Sequence, residues 1–357
     1  MTFAKQSIDR RTAMKAVFAA ALAGNLGPGK ARAASGEQNN EVLKPRRLRA
    51  GDTVGIVAPA SNAYENDDIN FATEIIASLG YKTVRGKYLF ERNQYLAGTD
   101  EQRAEDVNTM FARDDINAIV CLRGGYGTPR ILPYLDYDVI AKNPKVLCGY
   151  SDISGILLAV HKKTSLVGFH GPIALGNWSD YTLQEFEKVL VNPAPRTQIA
   201  APPPFETGRG HLDRENRLVT ITKGTARGRL VGGNLTLLAS LMGTEFEPVF
   251  KDRILFLEDV GEAPYRIDRM LTQLRLAGRL RELAGIAIGK FTEVSASSGN
   301  TFSINEILRD RCGDLGVPVV TGFMIGHIED KTTVPIGIEA ELNAGKQSLT
   351  LLEPAVL

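Results

Sequence analysis

The segment Thr53-Val54-Gly55-Ile56-Val57-Ala58 is short and almost wholly apolar, and Pro59-Ala60-Ser61 follows it directly. An apolar run of this length, bounded by turn residues, is typical of a buried parallel strand that leads into a loop. Apolar residues then recur at helical spacing from Ile69 to Leu79, and Gly80 ends the pattern. A strand followed at once by a helix predicts the start of an α/β fold.

The same alternation continues toward the middle of the chain. Further strands are predicted at 82–84, 118–122 and 146–148, and further helices at about 100–111 and 153–161. Alternating strands and helices build a parallel sheet covered on both faces, as in Rossmann-like and flavodoxin-like domains. We therefore expect an N-terminal α/β domain over residues 41–190.

The composition changes near residue 191, where prolines become frequent. Val191-Asn192-Pro193-Ala194-Pro195 is followed by Ala201-Pro202-Pro203-Pro204, and proline-rich chain is stiff and extended. We predict a linker over 191–215. Beyond it lie β-like runs at 229–231, 254–257, 284–288 and 317–320, and a helix from 266 to about 277. These predict a smaller, β-rich α/β domain over 216–357.

Residues 1–40 differ from the rest of the chain. The pair Arg10-Arg11 precedes a moderately apolar run that is too short for a permanent membrane anchor, and Ala31-Arg32-Ala33 supplies the small residues that a signal peptidase reads. This pattern resembles a twin-arginine export signal, although a disordered leader or an ordinary secretory signal is the alternative. We expect a periplasmic or exported protein without a stable membrane anchor after cleavage, with the cytoplasm as the fallback.

The overall composition excludes several classes of function. The chain has 43% hydrophobic residues, 23% charged residues and a formal net charge of +1, which is ordinary for a globular protein. No basic stripe indicates a nucleic-acid partner. The three cysteines, Cys121, Cys148 and Cys312, have no paired spacing, so neither a disulfide framework nor a zinc site is expected. We predict no metal and no cofactor.

The segment from Val146 to Asp152 is an apolar strand that delivers Ser151 to the start of a predicted helix. Such a serine lies at the carboxyl edge of the sheet, where open α/β folds bind ligands. The amide of Asp152 would be placed to donate to an oxyanion. The nucleophile-elbow pattern needs a glycine two residues after the serine, and this chain has Ile153 there. The residues alone leave both a nucleophile and a simple helix cap open.

Arg123-Gly124-Gly125-Tyr126-Gly127 follows the strand at 118–122 and is predicted at the same edge. A glycine cluster lets backbone amides approach a ligand closely, as in an oxyanion hole or a phosphate cradle. Its spacing does not fit a dinucleotide-binding fingerprint. A tight loop without function is the alternative.

A serine nucleophile needs a base, and the chain contains four histidines. His161 falls in the helix after Ser151 and His211 lies near the linker, which leaves His170 and His327. The orienting acid is either Glu258 or Asp259, and both end the apolar run at 254–257. The residues alone do not choose between them.

Five segments occur in one order and together resemble the L,D-carboxypeptidase family of serine peptidases, also called murein tetrapeptide carboxypeptidases. The similarity runs from about Leu48 to the C-terminus. The segments are Arg123-Gly124-Gly125-Tyr126-Gly127, Gly149-Tyr150-Ser151-Asp152, Gly232-Gly233-Asn234-Leu235, Leu257-Glu258-Asp259-Val260 with Arg266 and Arg269-Met270-Leu271, and Gly326-His327.

This resemblance implies a Ser-Glu-His triad, with Ser151 as nucleophile, Glu258 as orienter and His327 as general base. His170 is then expected to be structural. The resemblance also implies further site residues. They are the amide of Asp152 and the Gly124-Gly125 turn as oxyanion donors, and Arg130 and Arg266 as candidates for binding a substrate carboxylate. The carboxylate of Asp152 is assigned no role.

The family implies cleavage between the L-centre of a diamino acid and the terminal D-alanine of a peptidoglycan tetrapeptide, through an acyl-enzyme. The expected partner is therefore a tetrapeptide or a muropeptide. Two alternatives stay open: a microcin-immunity-type peptidase of the same family, which hydrolyses an adenylate mimic, and a non-catalytic muropeptide-binding protein. The residues do not decide whether the chain forms a homodimer.

Overall fold

The computed structural model describes residues 41–206, 208–295 and 301–357. The predicted export signal over 1–40 lies outside the described residues. The described part of the chain forms one sheet of six strands and one of eight, with helices packed against both. None of its helices has the length and apolar character needed to cross a membrane.

The first sheet is built from the strands that the apolar runs predict. Its five parallel strands stand in the spatial order β2-β1-β3-β4-β5, which is the flavodoxin-like order. The order reverses between β1 and β3, so the loops after these strands flank a crevice. The strands are β1 (Thr53–Val57), β2 (Lys82–Arg85), β3 (Ala118–Cys121), β4 (Val146–Gly149) and β5 (Gly168–His170).

Six helices accompany this sheet. The first of them buries Ile69, Ala72 and Ile76, which recur at helical spacing. The second begins at a capping box formed by Thr99 and Gln102. The helices are α1 (Asn66–Ser78), α2 (Asp100–Ala112), α3 (Thr128–Ile131), α4 (Tyr137–Lys142), α5 (Ser154–Thr164) and α6 (Asp180–Leu190).

The second sheet is mixed, in the order β6-β14-β13-β8-β9-β10-β11-β7. Its four central strands, β8 to β11, are parallel, and the outer strands are antiparallel. The strands are β6 (Thr197–Ile199), β7 (Val219–Thr222), β8 (Thr225–Asn234), β9 (Arg253–Val260), β10 (Gly285–Thr292), β11 (Val319–Thr321), β13 (Glu339–Asn343) and β14 (Ser348–Leu351). The helices are α7 (Leu235–Ser240), α8 (Pro264–Leu276) and α9 (Ile304–Cys312).

Each sheet contains a strand that lies far along the chain from its neighbours in that sheet. Strand β12 (Val334–Ile336) pairs antiparallel with β5 and so adds a strand from the C-terminal part to the first sheet. Within the segment predicted as a linker, β6 pairs with β14. Helix α5 packs on β5 and on β8, and its residues Ser154 to Val160 are all buried. The predicted α/β class, with a parallel first sheet and a β-rich second part, is confirmed.

Candidate active site

Ser151 stands at a sharp, strained turn between β4 and α5. Its φ is 65°, in the left-handed region, which costs a non-glycine residue of order 1–3 kcal/mol and is typically retained at functional sites. A 3₁₀ turn, Ser151–Ile153, leads directly into α5. A Cβ on Gly149 would lie 2.9 Å from Ile153 Cγ2, so the glycine two residues before Ser151 makes room for the Ile153 side chain. The backbone therefore has the strand-to-helix turn of a nucleophile elbow without its second glycine.

The glycine loop after β3 touches the turn that carries Ser151. A Cβ on Gly124 would lie 2.7 Å from Ser151 Cβ and 3.0 Å from Ser151 Oγ. Gly125 has a φ of 117°, and a Cβ there would lie 2.4 Å from Ser61 Oγ, so this position also needs glycine. The amides of Gly124 and Gly125 donate to no described residue. Gly124 thus lies directly beside Ser151, and the Gly125 amide follows it in the same loop.

A buried polar network fixes this loop. The Asp152 carboxylate, 2% exposed, accepts a hydrogen bond from Thr128 N at 2.8 Å, and Thr128 Oγ1 donates to the Asp152 carbonyl at 2.5 Å. Burial raises the pKa of the Asp152 carboxyl, and the hydrogen bonds from Thr128 and Gly127 oppose that shift. Arg103 Nη1 donates to the carbonyls of Pro59 and Gly127. Sequence reasoning gave this carboxylate no role and missed Arg103, because neither contact follows a local pattern.

Glu258 and His327 form a hydrogen-bonded pair. Glu258, on β9, is fully buried, and its Oε2 lies 2.7 Å from His327 Nδ1. Gly326 has a φ of 134°, and a Cβ there would lie 3.2 Å from Glu258 Cβ, so a glycine is needed for this close approach. An imidazole that donates from Nδ1 to a carboxylate keeps Nε2 free to accept a proton.

The neighbouring Asp259 is engaged elsewhere, which resolves the choice of partner for His327. Its carboxylate accepts hydrogen bonds from Asn234 Nδ2 at 2.9 Å, Thr236 N at 3.0 Å and Thr236 Oγ1 at 2.9 Å. Burial raises the pKa of the Asp259 carboxyl. Asp259 holds the end of β8 in place, and Glu258 faces the histidine.

The Gly232-Gly233-Asn234 segment joins the two sheets at the site. Gly233 has a φ of 140°, and a Cβ there would lie 2.5 Å from Ser154 Oγ. The amide of Asn234 donates to that same hydroxyl at 3.0 Å. The end of β8 therefore contacts α5 at its first residue, Ser154, three positions after Ser151.

Tyr150 connects the Ser151 turn with His327. Its ring lies edge-on to the His327 ring at 4.8 Å between centroids. Burial, with the nearby Glu258 charge, raises the pKa of the Tyr150 hydroxyl to about 12. Because Tyr150 precedes Ser151 directly, this contact brings the turn and the Glu258–His327 pair together. Ser151 Oγ itself forms no hydrogen bond with the described residues.

Among the other candidates, His170 lies near this pair, because its ring is edge-on to Tyr150 at 6.2 Å between centroids and the His327 ring contacts the same tyrosine. His170 is 2% exposed, its ring nitrogens have no partner among the described residues, and burial lowers its pKa to about 4. Arg130 forms a two-pronged ion pair with Asp100. Arg266 is half exposed and contacts Glu262 and the Tyr265 hydroxyl. In the described residues no contact ties either guanidinium to the Glu258–His327 pair. The described residues also contain no group of three His, Cys, Asp or Glu side chains suited to a metal ion.

Comparison with known proteins identifies the family. The model of the LD-carboxypeptidase N-terminal domain matches residues 54–171, and that of the LD-carboxypeptidase C-terminal domain matches residues 227–342. The chain belongs to the LD-carboxypeptidase family. It is a serine-type carboxypeptidase, and the resemblance read from its five segments is confirmed.

Two relatives in the LD-carboxypeptidase family carry murein names. The probable murein peptide carboxypeptidase of Bacillus subtilis is 37% identical over 310 residues, which cover 86% of this chain and 94% of that protein. The murein tetrapeptide carboxypeptidase of Pseudomonas aeruginosa is 34% identical over 299 residues, which cover 82% of this chain and 94% of that protein.

One solved structure is matched by this chain over the full length of the solved protein. MccF in complex with glutamyl sulfamoyl guanosine superposes with a TM-score of 0.81 at 26% identity, covering 88% of this chain and 100% of that one. This chain therefore shares its two-sheet fold with MccF.

Proposed function

We propose that this enzyme removes the terminal D-alanine from peptidoglycan tetrapeptides through an acyl-enzyme on Ser151. One arrangement carries the proposal: a strained serine turn lies against the Gly124-Gly125 loop on one side, and on the other side it contacts, through Tyr150, the His327 ring that is paired with buried Glu258. The murein names of the two relatives support the substrate class.

In the first step, His327 Nε2 removes the proton from Ser151 Oγ as the oxygen attacks the carbonyl carbon of the L-centre. The carbonyl electrons move to its oxygen, and the amides of Gly124, Gly125 and Asp152 stabilise the resulting oxyanion. The oxyanion collapses, the C–N bond breaks, and His327 returns the proton to the amino group of the leaving D-alanine. Water then attacks the ester with His327 again as base, which frees the shortened peptide and Ser151.

Glu258 acts on His327 rather than on the substrate. Its buried carboxylate accepts the Nδ1 hydrogen and so keeps the ring oriented with Nε2 free. When the ring becomes imidazolium, the adjacent negative charge stabilises it. Because Glu258 is fully buried, water does not weaken this interaction.

Two arginines are proposed to bind the carboxylate of the terminal residue. Arg266 is the freer one, since it is half exposed and its ion-pair contact with Glu262 is 3.6 Å long. Arg130 would have to leave its hydrogen bonds with Asp100 at 2.9 Å. We also propose that the enzyme acts in the periplasm, on the basis of the paired arginines and the apolar run within residues 1–40.

The likeness to MccF supports a second candidate function, hydrolysis of an aminoacyl or peptidyl nucleotide mimic. The same serine, base and oxyanion donors serve acyl transfer from either leaving group. What differs is the group that departs: an amino acid in one case and a nucleotide analogue in the other.

Mass spectrometry of defined muropeptides tests the proposal. The purified enzyme should shorten a tetrapeptide by one D-alanine and leave a pentapeptide intact. Ser151→Ala should abolish the loss, and the matched control Ser78→Ala, in the last turn of α1, should keep the wild-type rate. Shortening by Ser151→Ala at the wild-type rate would remove Ser151 from the mechanism. Turnover of an aminoacyl sulfamoyl nucleoside without turnover of tetrapeptide would favour the second candidate.

A further inference from the structure

A cavity of about 470 Å³ lies at the carboxyl edge of the second sheet and has no part in the chemistry described above. The ends of β10 and β11 form its floor, through Lys290, Phe291 and Thr321. The chain before β7 and the first turns of α9 form its walls. Ligands of open α/β sheets bind at this edge, outside the carboxyl ends of parallel strands.

The cavity adjoins the turn that carries His327. The amide of Lys290 donates to the Ile325 carbonyl at 2.8 Å, and the Lys290 carbonyl would lie 3.2 Å from a Cβ on Gly326. Phe291 pairs in register with Asp259, the residue after Glu258. Lys290 and Phe291 therefore extend the same edge that presents the Glu258–His327 pair.

Along the edge of the second sheet, the Glu258–His327 pair lies between the Ser151 turn and the cavity. The end of β8 contacts Ser154, β9 carries Glu258, and β10 and β11 line the cavity. Two strand spacings, about 10 Å, separate β8 from β10. Three residues of extended peptide span about 10 Å, so a tetrapeptide is long enough for one of its groups to reach the cavity.

The lining of the cavity is cationic. Arg214, Arg217 and Lys290 face it together with one acid, Glu215. Lys290 Nζ donates to the backbone carbonyl of Glu215 at 2.7 Å, so this hydrogen bond does not involve the Glu215 carboxylate. The guanidinium groups of Arg214 and Arg217 form no ion pair or hydrogen bond with the described residues. Burial lowers the pKa of Lys290, and the nearby charges of Asp213 and Glu215 oppose that shift; a further anion in the cavity would also stabilise the charged form of Lys290.

We propose that this cavity is a subsite for a carboxylate of the peptide substrate, held by Arg214, Arg217 and Lys290. The inference rests on the proposed carboxypeptidase function and names a part of the substrate on the amino side of the cleaved bond. Guanidinium groups bind carboxylates with two parallel hydrogen bonds, and Phe291 and Leu308 offer apolar surface to the methylene groups that carry the carboxylate.

The carboxylate has two sources within the substrate: the far end of the diamino-acid side chain, or the residue before it. In the first case the enzyme prefers a diamino acid that ends in both ammonium and carboxylate over lysine, which ends in ammonium alone and would face three cations. In the second case this preference disappears, and the preceding residue must be acidic.

Four synthetic tetrapeptides separate these sources: a parent with both carboxylates, one amidated on the diamino acid, one amidated on the preceding residue, and one with lysine as the diamino acid. Initial rates of D-alanine release are compared for wild type, Arg217→Gln and Arg214→Gln. The matched control is Arg281→Gln, in the 3₁₀ turn Arg279–Glu282 that precedes the amino end of β10 and so lies at the opposite edge of the sheet.

In the wild type, amidation of one carboxylate should lower kcat/KM about tenfold, which is the value of one charge-assisted hydrogen bond. Arg217→Gln should lower kcat/KM for the parent by a similar factor through KM, and it should leave the peptide without that carboxylate unchanged. The Arg281→Gln control should match the wild type with all four peptides.

The subsite is refuted if neither amidation changes kcat/KM, or if the arginine variants slow all four peptides equally. If the wild type releases D-alanine from none of them, the proposed function fails. In that case the equilibrium binding of the parent and amidated peptides to Ser151→Ala tests the subsite by itself. Equal Kd values for these peptides would refute the subsite as well.

Discussion

Gly124→Ala adds one methyl group where the glycine loop approaches the nucleophile turn most closely. The new carbon would lie 2.7 Å from Ser151 Cβ and 3.0 Å from Ser151 Oγ. Neither side yields easily: Ser151 sits on the strained elbow, and the hydrogen bonds between Thr128 and Asp152 hold the loop. The loop or the serine must therefore move.

The size of the movement follows from the contact distance. Carbon atoms pack at about 3.5–4.0 Å, so a contact of 2.7 Å requires a shift of about 1 Å. A misplacement of this size in an active site costs about 100-fold in rate. The Gly124 backbone lies outside the left-handed region, so alanine fits its φ. Overpacking should cost about 1–3 kcal/mol in the free energy of unfolding.

Initial rates of D-alanine release from a tetrapeptide and urea unfolding measure the two effects separately. We expect kcat to fall about 100-fold in a protein that stays folded. The control is Gly345→Ala, in the turn that joins β13 to β14. There the methyl carbon would lie 3.4 Å from Asn343 Oδ1, which is an ordinary contact. A wild-type kcat in Gly124→Ala would refute the argument that this contact positions the nucleophile.

Three further predictions follow from the buried polar groups. Glu258→Gln removes the charge that orients His327, so kcat should fall about 10⁴-fold with the circular dichroism spectrum unchanged; a loss below tenfold would contradict the role of Glu258. Asp152→Ala leaves the Thr128 amide without its acceptor and should lower the free energy of unfolding by about 1–3 kcal/mol in urea; an unchanged midpoint would count against the network. His170 has a folded-state pKa of about 4 against 6.5 for the unfolded chain, so the unfolded state takes up the proton first and stability falls as the pH drops below 6.5. His170 alone should contribute about 2 kcal/mol to that fall between pH 7 and pH 5, and His170→Phe should remove this share; equal pH slopes in urea unfolding of the two proteins would contradict this.

The strands of the first sheet were predictable because each is a short apolar run that ends at a turn residue. The run at 53–58 became β1, the one at 118–122 became β3, and that at 146–148 became β4. Burial on both faces of a parallel sheet produces this pattern. The three-residue strand β12 was not predicted, because a segment so short has no periodicity and pairs through residues far away in the chain.

The candidate site could be predicted only in part from local sequence pattern. The strand-to-helix placement of Ser151 and the glycine loop after β3 could be located from local pattern. The choice between Glu258 and Asp259 could not, because the two are adjacent and their hydrogen bonds reach different elements. The cationic cavity was missed altogether, since no local pattern connects the loop that carries Arg214 and Arg217 with the distant ends of β10 and β11.

By itself, the sequence determined the α/β class, the serine at the carboxyl edge of the first sheet and the glycines around it, because burial and backbone conformation act over a few neighbouring residues. Only the tertiary structure decided that Glu258 faces His327, that the Asp152 carboxylate holds the glycine loop, and that cations gather beyond the pair. These are contacts between distant parts of the chain, and they depend on where the two sheets meet.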